Sequence, residues 1–182
     1  MRIVIPPGGK ADWAVEHWTA ADAPYRKAET STSRRLAAAG SAPHRIYRAA
    51  LAGLTPGETF HYKVSKDNTV VFEVDGKALK SADQPYRFVA FADCGAGTAE
   101  QRPLANRALA NQPDLVVIPG DMVYEHGLVS EYRQKFWPVY NADVADALGA
   151  PLMRSIPFVA APGNHDTDAR DLDTYPDGLA YF

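Results

Sequence analysis

The sequence predicts an all-β sandwich followed by an α/β domain, and three observations carry that expectation. Within residues 1–86, short alternating stretches stand between turn residues. The clearest runs from Glu58 to Ser65, with Phe60, Tyr62 and Val64 on one face and His61, Lys63 and Ser65 on the other. From Arg87 onward the pattern changes to short apolar runs, at 87–92, 115–118 and 157–161, that read as strands buried on both faces. Between the first two of these runs, residues 98–111 carry helical spacing, as a crossover between parallel strands requires.

Taken in order, Arg2 to Ile5 reads as a strand closed by Pro6-Pro7-Gly8-Gly9, and Trp13 to Trp18 as a second. Residues 19–43, rich in Ala, Ser and Thr, read as loop with a short helix near Arg34 to Ala39. His44 to Leu51 is a third strand, and Leu54-Thr55-Pro56-Gly57 is a turn. Thr69 to Val74 follows the alternating strand, and Asp75-Gly76 is a hairpin signal. His17, His44 and His61 are expected at exposed strand positions.

Lys77 to Tyr86 is a polar connector, which divides the chain at 86/87. In the helix, Leu104, Ala105, Ala108 and Leu109 share a face, and Pro103 belongs in the first turn, where proline is tolerated. A second helical stretch is expected from Glu131 to Leu148, interrupted at Pro138, and then an acidic loop from Asp166 to Asp177.

Composition excludes several classes. The net charge of −3 offers no overall basic footprint for nucleic acid. The charge is uneven: residues 1–86 carry 12 Lys and Arg against 9 Asp and Glu, and residues 87–182 carry 7 against 13. One cysteine, Cys94, excludes an intrachain disulfide. No apolar run approaches the roughly 20 residues of a membrane-spanning helix, and the start of the chain is too soon broken by proline to read as a signal peptide.

Each apolar run ends in an oxygen-bearing side chain beside glycine: Asp93-Cys94-Gly95, Gly120-Asp121 and Gly163-Asn164-His165-Asp166. If the three strands lie parallel in one sheet, Asp93, Asp121 and Asn164 converge on one edge, where open α/β sheets bind ligands. Tyr124 stands three residues after Asp121, within reach of the same point. Oxygen ligands of this kind suit hard cations, and a carboxylate can bridge two of them. Either aspartate alone reads better as a turn or cap residue; the three places together favour a cation site.

Competing motifs fail on their own chemistry. A cysteine-phosphatase loop built on Cys94 requires an arginine where Glu100 stands. A dinucleotide loop through Gly95 and Gly97 would meet the same Glu100, whose charge opposes a pyrophosphate. A calcium loop opening at Asp166 meets Arg170 at its third ligand position.

In that order, Asp93-Cys94-Gly95, Gly120-Asp121-Met122-Val123-Tyr124 and Gly163-Asn164-His165-Asp166 resemble the D-x-G, G-D-x-x-Y and G-N-H-[DE] motifs of the metallophosphoesterases, specifically their purple acid phosphatase-like branch. The later V-x-x-H and G-H-x-H motifs are absent, since no histidine follows His165. Residues 47–62 resemble a fibronectin type III-like sandwich, which such phosphatases carry ahead of the catalytic domain.

The resemblance implies a fibronectin III-like domain over 1–86 and the first half of a metallophosphoesterase α/β sandwich over 87–182. It implies two metal ions, Fe(3+) plus a divalent ion (Zn, Mn or Fe). Asp93 and Tyr124 would hold the first, Asp121 would bridge, and Asn164 would hold the second. His165 would bind the substrate phosphate beside Asn164 or protonate the leaving group. The implied reaction is hydrolysis of phosphate monoesters by a metal-bridging hydroxide. The 182-residue chain is expected to be an inactive fragment of a longer, secreted or periplasmic parent. The expected partner is a small phosphate ester, with neither nucleic acid nor membrane. An open sheet edge would favour a homo-oligomer or other association. The alternative is a non-catalytic β-sandwich binding module with a vestigial metal domain.

Overall fold

The structure, a computed structural model, describes residues 2–5, 11–19, 25–36 and 44–181. It forms two compact units, 1–81 and 82–182.

The first unit consists of two antiparallel sheets. One has the order β1 (Arg2–Ile5), β5 (His44–Ala50), β4 (Glu29–Leu36). The other has the order β3 (Arg26–Lys27), β2 (Trp13–Trp18), β6 (Thr59–Lys66), β7 (Thr69–Lys77). Alternation along β6 buries Phe60, Tyr62 and Val64. These share one apolar cluster with Val15 of β2 and Ala49 of β5, so both sheets contribute to the core.

Three local expectations are corrected here. Arg34 to Leu36 belongs to β4 and is not helical; residues 37–39 lie outside the described residues, as do 6–9. The hairpin turn is Asp67-Asn68, not Asp75-Gly76. Asp67 and Asn68 both adopt positive φ, 48° and 64°, as the favoured two-residue turn demands. Asp75 and Gly76 remain in β7, paired with His61 and Phe60. A Cβ at Gly76 would lie 2.6 Å from the Phe60 ring, so glycine there leaves room for an aromatic ring to lie across the strand. His17 is buried, because it falls on the inward face with Val15. Its Nε2 lies 3.0 Å from the Ala52 carbonyl oxygen; a carbonyl only accepts, so this nitrogen carries the proton. His44 lies where side chains are outside the description. His61 is partly exposed, stacked on Trp18.

The second unit is built on a parallel three-stranded sheet of order β10 (Phe158–Ala160), β9 (Leu115–Ile118), β8 (Phe88–Ala90). Buried Asp114 joins β8 to β9 at their start: it accepts the Arg87 N–H at 2.8 Å, and its own N–H donates to the Arg87 carbonyl. The helix α1 (Gln101–Ala110) connects β8 to β9, with Pro103 in its first turn as expected. Ala105 and Ala108 face the core, whereas Leu104 is exposed. The core gathers Val116, Ile118, Phe136, Tyr140 and Leu152, all nearly inaccessible.

The second helical stretch is shorter and less regular than expected. It runs through α2 (Val129–Glu131), a π-helical segment (Tyr132–Phe136) and α3 (Trp137–Tyr140), with Pro138 in the first turn of the last. Residues 141–149 are not helical. Asp146 accepts the Leu148 N–H at 2.7 Å and the Gly149 N–H at 3.3 Å, and this local bonding competes with helix. A short helix α4 (Leu152–Ser155) leads into β10.

Glu131 anchors the start of this helical run. Its carboxylate accepts N–H bonds from Glu125, from His126 at 3.1 Å and from Leu128 at 3.0 Å. Burial pushes its carboxyl up, but the N–H bonds of Leu128, His126 and Glu125, together with Lys135, overcome this and hold it below its ordinary 4.5. A carboxyl whose folded pKa is depressed stabilises the fold above its unfolded pKa and loses that contribution as pH falls through the folded one. The stability gap between the native chain and Glu131→Gln is therefore expected to be full near neutrality and to shrink as acid urea titrations move below about pH 4.5. A gap that held constant into acid would refute this.

Candidate metal centre

The carboxyl ends of β8, β9 and β10 lie side by side, and each continues into one of the loops singled out in the sequence. The loops are laced together by backbone: Cys94 N–H donates to the Asp121 carbonyl at 3.1 Å, and Tyr124 N–H to the Gly95 carbonyl at 3.3 Å. Gly95 permits this approach, since a Cβ there would sit 1.8 Å from the Met122 carbonyl oxygen.

Asp93 and Asp121 both adopt left-handed backbone, with φ of 54° and 50°. Aspartate tolerates this conformation better than most residues, and such strain clusters at functional sites. The same turn at the ends of two adjacent strands directs two carboxylates to one place. The Tyr124 phenol donates to Asp93 Oδ1 at 2.5 Å and lies 3.4 Å from Asp121 Oδ2. The Asp93 hydrogen bond, partial burial and the Asp121 charge all push the Tyr124 phenol well above its ordinary range. The other oxygen of Asp121, Oδ1, accepts the His165 N–H at 3.0 Å. Asp121 thus has one oxygen turned to the Asp93–Tyr124 side and one to the Gly163–His165 side.

The His165 ring packs against Tyr124 at a tilt, with ring centroids 4.4 Å apart and planes at 43°. Its Nδ1 lies 2.9 Å from the Glu125 carbonyl, so Nδ1 carries the proton and Nε2 is left free. The Glu125 carbonyl raises the imidazole pKa; some desolvation opposes it, and the charges of Asp121, Glu125 and Asp168 add to the rise. Asn164 is exposed, between Gly163 and His165, both of which touch Asp121. Asp93, Asp121, Tyr124 and His165 therefore meet through side-chain or backbone contacts, with Asn164 held by its neighbours.

The sequence places Asp166 at the start of an acidic loop, outside the expected ligand set. It is fully buried. Its carboxylate accepts the N–H groups of Met122 at 3.1 Å, Val123 at 3.3 Å and Gly163 at 2.9 Å, and the Tyr132 hydroxyl at 2.9 Å. It clamps the Asp121 loop to the Asn164 loop. The signal available in the sequence was its position, fourth in Gly163-Asn164-His165-Asp166, where a carboxylate adjoins the glycine turn.

His126 lies near these loops, bonded to Asp168 at 2.7 Å and in tilted ring contact with Tyr175. Cys94 is buried, and burial, with the Asp166 and Asp93 charges adding, pushes its thiol up to about 12. Such a thiol is a poor nucleophile at neutral pH. A cleft of about 400 Å³ opens beside Asp93, bordered by Thr98, Glu100, Leu104 and Arg107.

Two carboxylates and a phenol sharing one proton form an all-oxygen donor set of the kind that hard cations take. The set fits a metal centre, although among the described residues no three His, Cys, Asp or Glu side chains form such a group by themselves.

The family model for calcineurin-like phosphoesterases, Metallophos, matches residues 86–181. The solved structure of PhoD is similar at 17% identity with a TM-score of 0.48, over 84% of this chain and 32% of that one. The chain thus spans about a third of the length of that protein. No curated protein matches the chain.

Proposed function

We propose, for a chain that belongs to the calcineurin-like phosphoesterase family, the hydrolysis of phosphate monoesters at a two-metal centre of the purple acid phosphatase type, as part of a longer polypeptide. The observation that carries this reading is the Tyr124 phenol bound between Asp93 and Asp121 at the ends of parallel strands. Family membership supports metal-dependent phosphoester hydrolysis in general; the tyrosine supports the narrower type.

Asp93 and Tyr124 would hold Fe(3+), Asp121 would bridge, and Asn164 would hold a divalent Zn, Mn or Fe ion. Two bound cations would neutralise the ester's anionic oxygens and acidify the attacking water. The chain's own residues do the rest. His165, with Nδ1 committed to Glu125, presents Nε2 to a phosphate oxygen or to the leaving alkoxide. Donation from Nε2 requires the imidazolium form, in which both ring nitrogens carry protons. The Asn164 amide supplies a second contact to the phosphate.

The first unit is read as a fibronectin type III-like module, supported by its two antiparallel sheets. A secreted or periplasmic parent and self-association through open sheet edges complete the proposal.

The test is to reconstitute the product of the complete reading frame with iron plus zinc or manganese and assay it on an aryl phosphate. Metal-dependent turnover is expected, and Asp121→Asn should cost about 100-fold or more, near 3 kcal/mol of barrier. Turnover indifferent to metal and to Asp121→Asn would refute the reading. Metal-independent silence would favour the alternative, a non-catalytic β-sandwich binding module with a vestigial metal domain.

A further inference from the structure

Tyr124 lies in a loop, yet the phenol of a metal ligand must be held in place if it is to be selective. Besides the Tyr124 N–H bond to Gly95, one short helical segment holds that loop. Glu131 gathers the N–H groups of Glu125, His126 and Leu128, the residues that follow Tyr124. Lys135 donates from Nζ to the Tyr124 carbonyl itself and lies 3.3 Å from Glu131 Oε1. The backbone of Tyr124, Glu125, His126 and Leu128 is thereby tied to a Glu–Lys pair four residues apart.

The same segment reaches the other two loops. The Lys135 carbonyl accepts from Gln101 Nε2, and Gln101 Oε1 accepts the Gly97 N–H at 2.9 Å, in the loop that carries Asp93. Tyr132, next to Glu131, donates its hydroxyl to Asp166, which clamps the Asn164 loop. Residues 132–136 are π-helical, a geometry that recurs at functional sites and departs from the regular α-helical spacing of side chains. Three loops from three strand ends therefore register on one segment, residues 131–136.

We infer that Glu131 and Lys135 are positioning residues that set the Tyr124 phenol against Asp93 and Asp121. They act through the backbone of 124–128 and touch neither substrate nor metal. The inference rests on the reading of Tyr124 as a ligand, and two readouts separate the two claims.

The experiment uses the product of the complete reading frame with carbon-13-labelled tyrosine rings, in native, Lys135→Met, Lys135→Arg, Glu131→Gln and Tyr124→Phe forms. In the metal-free protein, magnetic resonance reads the contact between the Tyr124 and His165 rings, 4.4 Å apart by centroid. On titration with Fe(3+), the visible tyrosinate-to-iron absorption reads the phenol on the metal. Lys135→Met and Glu131→Gln are expected to lose the ring contact and to weaken iron binding by about 10- to 100-fold, with Lys135→Arg restoring both.

Variants that fold and keep both the ring contact and native iron binding would overturn the inference. If Lys135→Met does not fold, Glu131→Gln decides, because it keeps the side chain's size and one acceptor. If the native chain shows no absorption that Tyr124→Phe removes, the ligand reading fails and the ring contact alone decides positioning.

Discussion

Asp166→Ala is expected to destabilise the second unit by about 3–5 kcal/mol, at the upper end for a single substitution. The carboxylate is fully buried and takes three backbone N–H groups and one hydroxyl. Alanine would leave all four donors unpaired, those of Met122, Val123 and Tyr132 buried and that of Gly163 partly so, and each buried orphan costs on the order of 1–3 kcal/mol unless the loops part to hydrate it. Parting them separates Asp121 from Asn164, so metal binding should fall with stability. Asp166→Asn, which keeps the shape but turns one acceptor into a donor, should lie between. Urea unfolding with an unchanged slope, alongside metal titration, measures both effects. An Asp166→Ala chain that unfolds at the native midpoint would show that the clamp does not hold the loops.

Gly163→Ala is expected to have the second large effect, and it falls more on the site than on the fold. A Cβ at this position would lie 2.1 Å from Asp121 Oδ1 and 2.5 Å from Asp121 N. The side-chain oxygen could swing aside; the backbone nitrogen cannot, because the Asp121 loop is laced to the Asp93 loop on its other side. The two loops must therefore separate, at about 1–3 kcal/mol for an overpacked contact. The His165 N–H bond to Asp121 crosses the same gap and would be lost with it. A tenfold to hundredfold loss of metal affinity is the expected readout, by calorimetric titration against the native chain. Native affinity in Gly163→Ala would mean that the loops do not approach as closely as they do here.

These two positions show how far the chain can be read without its fold. Gly163 and Asp121 stood out in the sequence because each follows an apolar run and because glycine beside an acid or amide marks a turn that presents it. The strands were legible for the same reason: alternation in β6 and apolar runs in β9 and β10 are local patterns imposed by burial. Asp166 was legible as a carboxylate closing the Gly163 turn but not as a clamp, since three of its four partners lie 34 to 44 residues away. Nor was the Asp67-Asn68 turn, outweighed by an Asp75-Gly76 pair that β7 absorbed because its partner strand ran on to Thr59. The helix expected to continue to Leu148 stopped at Tyr140, where side-chain bonds from Asp146 won over weak helical propensity.

By itself the sequence determined which side chains stand at strand ends, and with them the family, because strand and turn chemistry is written in residues next to one another. Only the tertiary structure decided how those ends are held in register: the left-handed turns at Asp93 and Asp121, the buried Asp166, and the Glu131–Lys135 pair behind Tyr124. Each of these depends on groups brought together by packing across three loops, and the energy of a buried hydrogen bond belongs to that meeting rather than to any stretch of chain.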